Sequence, residues 1–379
     1  MTSQQNPYFG YFDYAAATPV DTRVSEYVDS IADKSWGNPN AFHASGRASK
    51  ALLENARETV ASTINCKSNQ IIFVPSATIA NNLALKGSVK SSKNIITSNN
   101  EHSSVENQLD QKNCKINVDN KTQICWEQVL PNIQKSTELL SLIWVNNVTG
   151  AVTDVQKISE KLQILNQERI ANGLNKVLFH IDAVQAPNYL QIDLEILKVD
   201  FLTLSSQKIY APRGAAVLYA RDKSTLNPII HGGGQESGLW SGTPNVAAIC
   251  GFAKALEIAQ NEIEITKEQH TIFRQKIIEF VNNNSTISII PDSFLDNGFT
   301  VPGILYLSIE NRNTEELLTY FDLHSIQISA GSACASGAVI TSNFIPKTNA
   351  GMRISIGRFT TIDDMQLLIT ILTSFLKHG

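Results

Sequence analysis

The stretch VLFHIDAVQAPNYLQIDLEILKVDFLTLSSQKIYAPRG, residues 177–214, decides how the chain is read. It holds two short apolar runs, Val177–Ile181 and Phe201–Leu204, separated by turn-rich sequence. Runs of that length, apolar almost throughout, predict strands buried on both faces of a sheet. In an open parallel sheet, ligands gather at the carboxyl ends of the strands. Asp182 directly follows the first run, and Lys208 follows the second behind Ser205 and Ser206. Alone, the aspartate reads as a turn or helix-capping residue and the lysine as a solvated loop residue. Together, at neighbouring strand ends, they are what an enzyme with a lysine-bound carbonyl cofactor needs.

Working outward, further apolar runs occur at Ile71–Val74, Asn94–Thr97, Leu139–Val145 and Ala215–Tyr219. Helical periodicity lies between and before them. Residues 21–34 place Val24, Val28 and Ile31 on one face behind Asp21 as a cap. Residues 47–64 repeat Leu52, Ala56, Val60 and Ile64; another helix begins near Ala77, and 153–169 is amphipathic. This alternation predicts an α/β fold with a mostly parallel sheet covered on both sides. Past about residue 245 the texture changes to one long helical stretch, 246–283. A strand at Gly303–Ile309, a helix at Glu315–Phe321 and a closing amphipathic helix at 362–376 follow. The expected division is a large domain of 15–255 and a smaller α/β domain of 1–14 and 256–379.

Composition narrows the function. Charged residues are 17% of the 379, below the usual ~25%, and 31 basic residues face 35 acidic ones for a net charge of −4. Direct nucleic-acid binding is therefore not expected. No apolar run approaches ~18 residues, so no membrane span is expected, and MTSQQNPYFG carries no signal-peptide pattern. The five cysteines, at 66, 114, 125, 250 and 334, are odd in number and form no CxxC. That argues against a disulfide framework and a cysteine-based metal site, and fits a reducing, cytoplasmic setting.

Two more segments carry chemistry. In IIFVPSATIANN, 71–82, Ser76, Ala77 and Thr78 lie between a strand and a helix start, an arrangement suited to an anion such as phosphate. In SAGSACASG, 329–337, Cys334 has little apolar sequence around it, which favours a reactive thiol over a packing one. The other four cysteines read as packing or incidental residues. His180, inside a strand, reads as a hydrogen-bonded core histidine, His43 and His231 as loop or structural residues, and Arg358 as a packing or salt-bridge residue.

The motifs together resemble the cysteine desulfurases of the class V aminotransferase family of pyridoxal-phosphate enzymes. The resemblance runs from YFDYAAATPVD at 11–21 to RISIGRFTT at 353–361. It takes in GNPNAFH at 37–43, EH at 101–102, VNN at 145–147, HIDAVQ at 180–185, QKIYAPRG at 207–214, HGGGQE at 231–236 and SGT at 241–243. It implies fold type I of the pyridoxal-phosphate-dependent transferases, with pyridoxal 5'-phosphate as cofactor and L-cysteine as substrate. Lys208 would hold the cofactor covalently, Asp182 would pair with its protonated ring nitrogen, and His102 would stack on the ring and shuttle protons. Asn147 and Gln185 would contact the ring oxygen. Ala77, Thr78, Ser205 and Gln207 would bind the phosphate, joined by Thr243 from a second copy of the chain in a homodimer with shared sites. Arg353, Asn147 and Asn38 (by position a turn residue) would bind substrate. Cys334 would take the sulfur as a persulfide and pass it to an acceptor protein, for iron–sulfur cluster assembly, tRNA thiolation or DNA phosphorothioation. A selenocysteine lyase or an aminotransferase on the same scaffold, and a non-catalytic partner-binding scaffold, are the other readings.

Four positions depart from the family pattern. Gln207 stands where a histidine usually precedes the lysine, and Trp240 where arginine often precedes SGT. Ile79 replaces an acidic residue in the phosphate loop, and Val148 stands where an acid is common.

Overall fold

The computed structural model describes residues 6–109, 114–118, 123–291, 299–331, 346 and 348–378. Among them, ten strands form two sheets. The larger contains Ile71–Val74 (β1), Ile95–Ser98 (β2), Cys114–Ile116 (β3), Leu139–Ile143 (β4), Leu178–Asp182 (β5), Phe201–Ser205 (β6) and Ala216–Ala220 (β7). Their order is β1-β7-β6-β5-β4-β2-β3. All neighbouring pairs from β6 to β3 are parallel; β7 runs antiparallel to both β6 and β1. This is the mostly parallel sheet that the apolar runs predict.

Those runs are continuous because each face of the sheet has its own core. Ile71 and Phe73 of β1 point into one, Ile72 and Val74 into the other, and Val217 and Leu218 of β7 divide in the same way. The helices Ala44–Thr63 and Val246–Asn261 pack together on the first face. The helix Ala77–Ser88 covers the second, contacting β6 and β7. A parallel strand buried on both sides has no polar face to alternate with.

The second sheet is antiparallel, ordered Ala350–Ser355 (β10), Ile304–Ile309 (β9), Ile287–Ile290 (β8). The helices Ile263–Asn282, Thr314–Leu323 and Ile362–His378 bury a separate core against it, in which Phe12 takes part. The N-terminal segment runs beside this sheet: Phe12 N–H donates to Gln327 O, and Ser355 N–H donates to Phe12 O, both at 2.8 Å.

Two local expectations change. The stretch 246–283 is two helices, Val246–Asn261 and Ile263–Asn282, broken at Glu262, whose φ of −107° and ψ of 14° leave the helical region. Its carboxylate is held by Arg23 and Arg358, and that tie across elements fixes the bend. The span 21–34 also divides, into Thr22–Ser30 and Ala32–Ser35, with Asp21 accepting from Arg23 N–H as the cap. Strands β3, β8 and β10 lie outside the apolar runs that the sequence marks as strands. No helix among the described residues is long and apolar enough to cross a membrane.

Candidate active site

The pairing register sets the site. Ile143 of β4 lies beside Asp182 of β5, and Asp182 beside Thr203 of β6, so the carboxyl ends of three central strands come level. A cleft opens there. Its wall includes Ala77, Thr78, His102, Asn147, Asp182, Gln185, Ser205, Gln207, Lys208 and Arg353, all singled out from sequence. Ala15, Ala16, Ser76, Ser104, Ile143 and Val184 complete it.

Asp182 ends β5 and is buried. Asn81 Nδ2 donates to its Oδ2 at 2.8 Å, and Val184 N–H donates to its Oδ1 at 3.1 Å. Lys208 follows β6 on a single turn of 3-10 helix, Ser206–Lys208. Its Nζ donates to Ala15 O at 2.8 Å and also to Ala16 O, and Gln185 Nε2 donates to Ala15 O at 2.8 Å. The segment AAAT after Asp13 is thus the opposite wall of the lysine's pocket, a contact between residues nearly two hundred positions apart.

His102 follows β2 and caps the short helix Ser103–Glu106; its Nδ1 accepts from Ser104 N–H at 3.0 Å. Burial lowers its pKa, Asp182 pulls it back up, and Lys208 lowers it further. Beside it, Glu101 Oε1 accepts from Ser98 Oγ at 2.6 Å and Ile143 N–H at 3.1 Å, while its Oε2 is sealed without a partner. Burial pushes this carboxyl up to about 8, so it is largely protonated near neutral pH.

The anion end of the cleft is the N-terminus of Ala77–Ser88. Ser76 caps it, Ile79 N–H donating to its hydroxyl, with Thr78, Ser205 and Gln207 on the wall. Arg353 arrives from the second sheet. It is 1% exposed, donates from Nη1 to Asn147 O at 2.9 Å, and pairs with Asp13 at 2.5 Å. A guanidinium so enclosed needs that carboxylate, because a buried unpaired charge costs several kcal/mol. Its Nε has no partner among the described residues.

Two expected residues stay outside the cleft of this chain. Asn38 is exposed and closes a turn, its Oδ1 accepting from Asn40 N–H at 3.0 Å. Thr243 is also exposed and does not line the cleft. Cys334 lies outside the described residues. Cys66 and Cys250 behave as packing thiols; burial pushes them up to about 12 and about 11. Among the described residues no group of three or more His, Cys, Asp or Glu side chains could hold a metal ion. Arg358 forms salt bridges with Asp21 and Glu262, and His43 caps Ala44–Thr63. Ile79 and Trp240, the departures at an acidic and an arginine position, both pack on the core beneath Ala77–Ser88. Asn81 and Ser104 were missed: their type is common in helices and loops, and only the fold brings them to Asp182.

This wall suits one kind of group. A lysine amine takes a carbonyl carbon, a buried carboxylate takes a protonated ring nitrogen, and a hydroxyl-lined helix N-terminus takes a phosphate. The chain belongs to the class-V aminotransferase family, whose model matches residues 10–368, and whose enzymes depend on pyridoxal phosphate. The cysteine desulfurase IscS of Dictyoglomus turgidum is 32% identical to it over 97% of this chain and 94% of that protein. A NifS-like protein from Rickettsia africae superposes with a TM-score of 0.85 at 29% identity, covering 97% of this chain and 99% of that one. SspA, solved in complex with cysteine, superposes with a TM-score of 0.73 at 29% identity over 93% of this chain and 100% of that one.

Proposed function

We propose that the chain is a cysteine desulfurase that converts L-cysteine to L-alanine and moves the sulfur to Cys334. The observation that carries this is the convergence of Lys208, Asp182, His102 and Arg353 on one cleft. Pyridoxal phosphate bound there supplies an electron sink for the charge that develops on the substrate's α-carbon.

The chain's own groups do the rest. Thr78, Ser205 and Gln207 would hold the phosphate beside the helix N-terminus, and Thr243 of a second copy would complete that end in a homodimer. Gln207 contributes a neutral hydrogen bond rather than a positive charge. Asp182, kept in place by Asn81 and Val184, would hold the ring nitrogen's proton. Gln185 and Asn147 would contact the ring oxygen, and Arg353 would clamp the substrate carboxylate, as a planar guanidinium can. Lys208 would move the proton at the α-carbon, with His102 beside it on the cleft wall as a hydrogen-bond donor. The Cys334 thiolate then attacks the substrate sulfur. The sulfur–carbon bond breaks, a sulfur–sulfur bond forms, and the electron pair stays with the carbon fragment, which becomes alanine after protonation. The balance is cysteine plus one protein thiol giving alanine plus one persulfide. An acceptor protein thiol then removes the sulfur. A cytoplasmic location and a division into domains at about residues 15 and 255 accord with this reading; the separate core against the second sheet supports the division.

The purified protein should be yellow and release alanine from cysteine. Lys208→Ala should lose the visible absorbance and about three or more orders of magnitude of turnover. Cys334→Ser should bind cysteine yet form no persulfide. A colourless wild type would sink the reading.

A further inference from the structure

A chain of buried hydrogen bonds joins Asp182 to His102 through two residues not yet given a role. Asn81, fully enclosed on the helix Ala77–Ser88, donates from Nδ2 at 2.8 Å to Asp182 Oδ2 and at 2.8 Å to Ser104 Oγ. Ser104 Oγ lies 2.8 Å from His102 Nδ1, and Ser104 N–H donates to that same nitrogen at 3.0 Å.

The direction of every bond follows from what each group can do. An ionised carboxylate only accepts, so the Asn81 amide must turn its NH2 toward Asp182. The reverse orientation would set Oδ1 against the carboxylate. The second proton of that NH2 goes to Ser104 Oγ, so the serine hydroxyl accepts there and has its own proton to give. A backbone N–H only donates, so His102 Nδ1 carries no proton. The Ser104 hydroxyl proton therefore points at Nδ1 as well. Asn81 Oδ1 is left buried without a partner. The two donor bonds of the NH2 are made and the acceptor bond of the amide is not.

We propose that Asn81 and Ser104 are positioning residues that transmit the orientation set by the Asp182 carboxylate to His102 and hold its imidazole as the neutral Nε2–H tautomer. His102 then offers a hydrogen-bond donor, not an acceptor, to whatever lies in the cleft. The inference rests on the reading of the cleft as a pyridoxal-phosphate site only for its consequence; the tautomer itself stands on the protein's own bonds. The charged groups that bear on His102 are Asp182 at the end of β5 and Lys208 after β6; Glu101, its neighbour in the chain, is held largely protonated by burial. A hydrogen bond received by the neutral ring favours the neutral form. Removing the Ser104 hydroxyl therefore makes the ring easier to protonate.

The test is a nitrogen-15 spectrum of the holoenzyme labelled in its histidine rings, with His102 assigned by the signals that His102→Gln removes. At about pH 8, above the ordinary histidine range, Nδ1 should resonate as an unprotonated and Nε2 as a protonated nitrogen. A proton on Nδ1 overturns the proposal. Ser104→Ala keeps the backbone N–H on Nδ1, so that nitrogen should stay unprotonated while its resonance shifts; the acid limb of kcat/KM should move to higher pH, and kcat/KM should fall about three- to tenfold, the equivalent of one hydrogen bond. Ser104→Thr, which keeps the hydroxyl, should restore all three. Ser104→Ala with unchanged ring signals and an unchanged acid limb would also overturn it. Absence of visible absorbance in the wild type would count instead against the cofactor reading and leave the tautomer measurement standing.

Discussion

Two buried histidines show what separates a structural imidazole from a working one. His180 sits in the middle of β5, 2.8 Å from Ser141 Oγ on β4 and 3.1 Å from Thr203 Oγ1 on β6. Both ring nitrogens are engaged, and burial lowers its pKa to about 3. His102 follows the end of β2, with Nδ1 engaged by Ser104 and the ring on the wall of the cleft. Burial lowers its pKa too, yet Asp182 opposes that shift and Lys208 reinforces it. The two share residue type and a dry setting. They differ in whether a nitrogen is left to face a ligand, and in whether charges stand close enough to tune it. Position along the strand decides both: mid-strand side chains meet only neighbouring strands, whereas residues past a carboxyl end meet the cleft.

The sharpest way to break this contrast is to exchange each ring. His102→Gln should lower kcat about 10² to 10³-fold, the usual worth of a hydrogen-bond donor aimed at the reacting centre, while the melting temperature and visible absorbance are retained. His180→Leu should do the opposite. It strips partners from the Ser141 and Thr203 hydroxyls inside the sheet and should destabilise the fold by about 2–4 kcal/mol, with turnover per folded molecule nearly unchanged. Denaturant unfolding and steady-state rates on both variants would check this. Equal losses of rate in the two would remove the distinction.

The acid response gives a smaller and more specific effect. The folded-state pKa of His180, about 3, lies below that of the same residue in the unfolded chain, near 6.5. As pH falls through that window the unfolded chain takes up the proton first. Stability contributed by neutral His180 is thus fully present above about pH 6.5 and declines by up to about 1.4 kcal/mol for each pH unit below it. Unfolding free energies between about pH 6.5 and 4.5 should fall less steeply in His180→Leu than in the wild type. A slope that the substitution leaves untouched would mean that another group carries the acid sensitivity.

The same contrast explains what could be read before the structure. Asp182, Lys208 and His180 were legible because buried parallel strands announce themselves as apolar runs, so strand ends and strand interiors could be told apart. Strand β10 was not: AGMRIS interrupts its apolar residues with Gly351 and Arg353, and only the Asp13 and Asn147 contacts explain an arginine 1% exposed. Asn81 and Ser104 had no signal at all. Asn81 is 101 positions from Asp182 and 23 from Ser104, and nothing in ATIANN or EHSS marks a buried relay. The helix break at Glu262 was hidden for the same reason, since its arginine partners, Arg23 and Arg358, lie near the two ends of the chain.

The gentlest test places a third histidine by design. Gln207 lines the cleft directly before Lys208, on the side of Ser205 and the helix N-terminus that takes phosphate. Its amide can donate a neutral hydrogen bond there but brings no charge. Gln207→His puts an imidazole at a strand end rather than mid-strand. If facing the cleft is what makes a histidine functional in this molecule, the ring should protonate beside the phosphate dianion and tighten cofactor binding. A charge-assisted hydrogen bond exceeds a neutral one by about 1 kcal/mol, which corresponds to roughly fivefold in affinity. The gain should fade as pH rises above the histidine range, because only the imidazolium carries the charge. Titration of the apoenzyme with pyridoxal phosphate at about pH 6 and pH 9 measures both. Equal or weaker binding at the lower pH would show that a place on the cleft wall is not enough, and that a ring needs the kind of bonded support His102 receives from Ser104 before it can act.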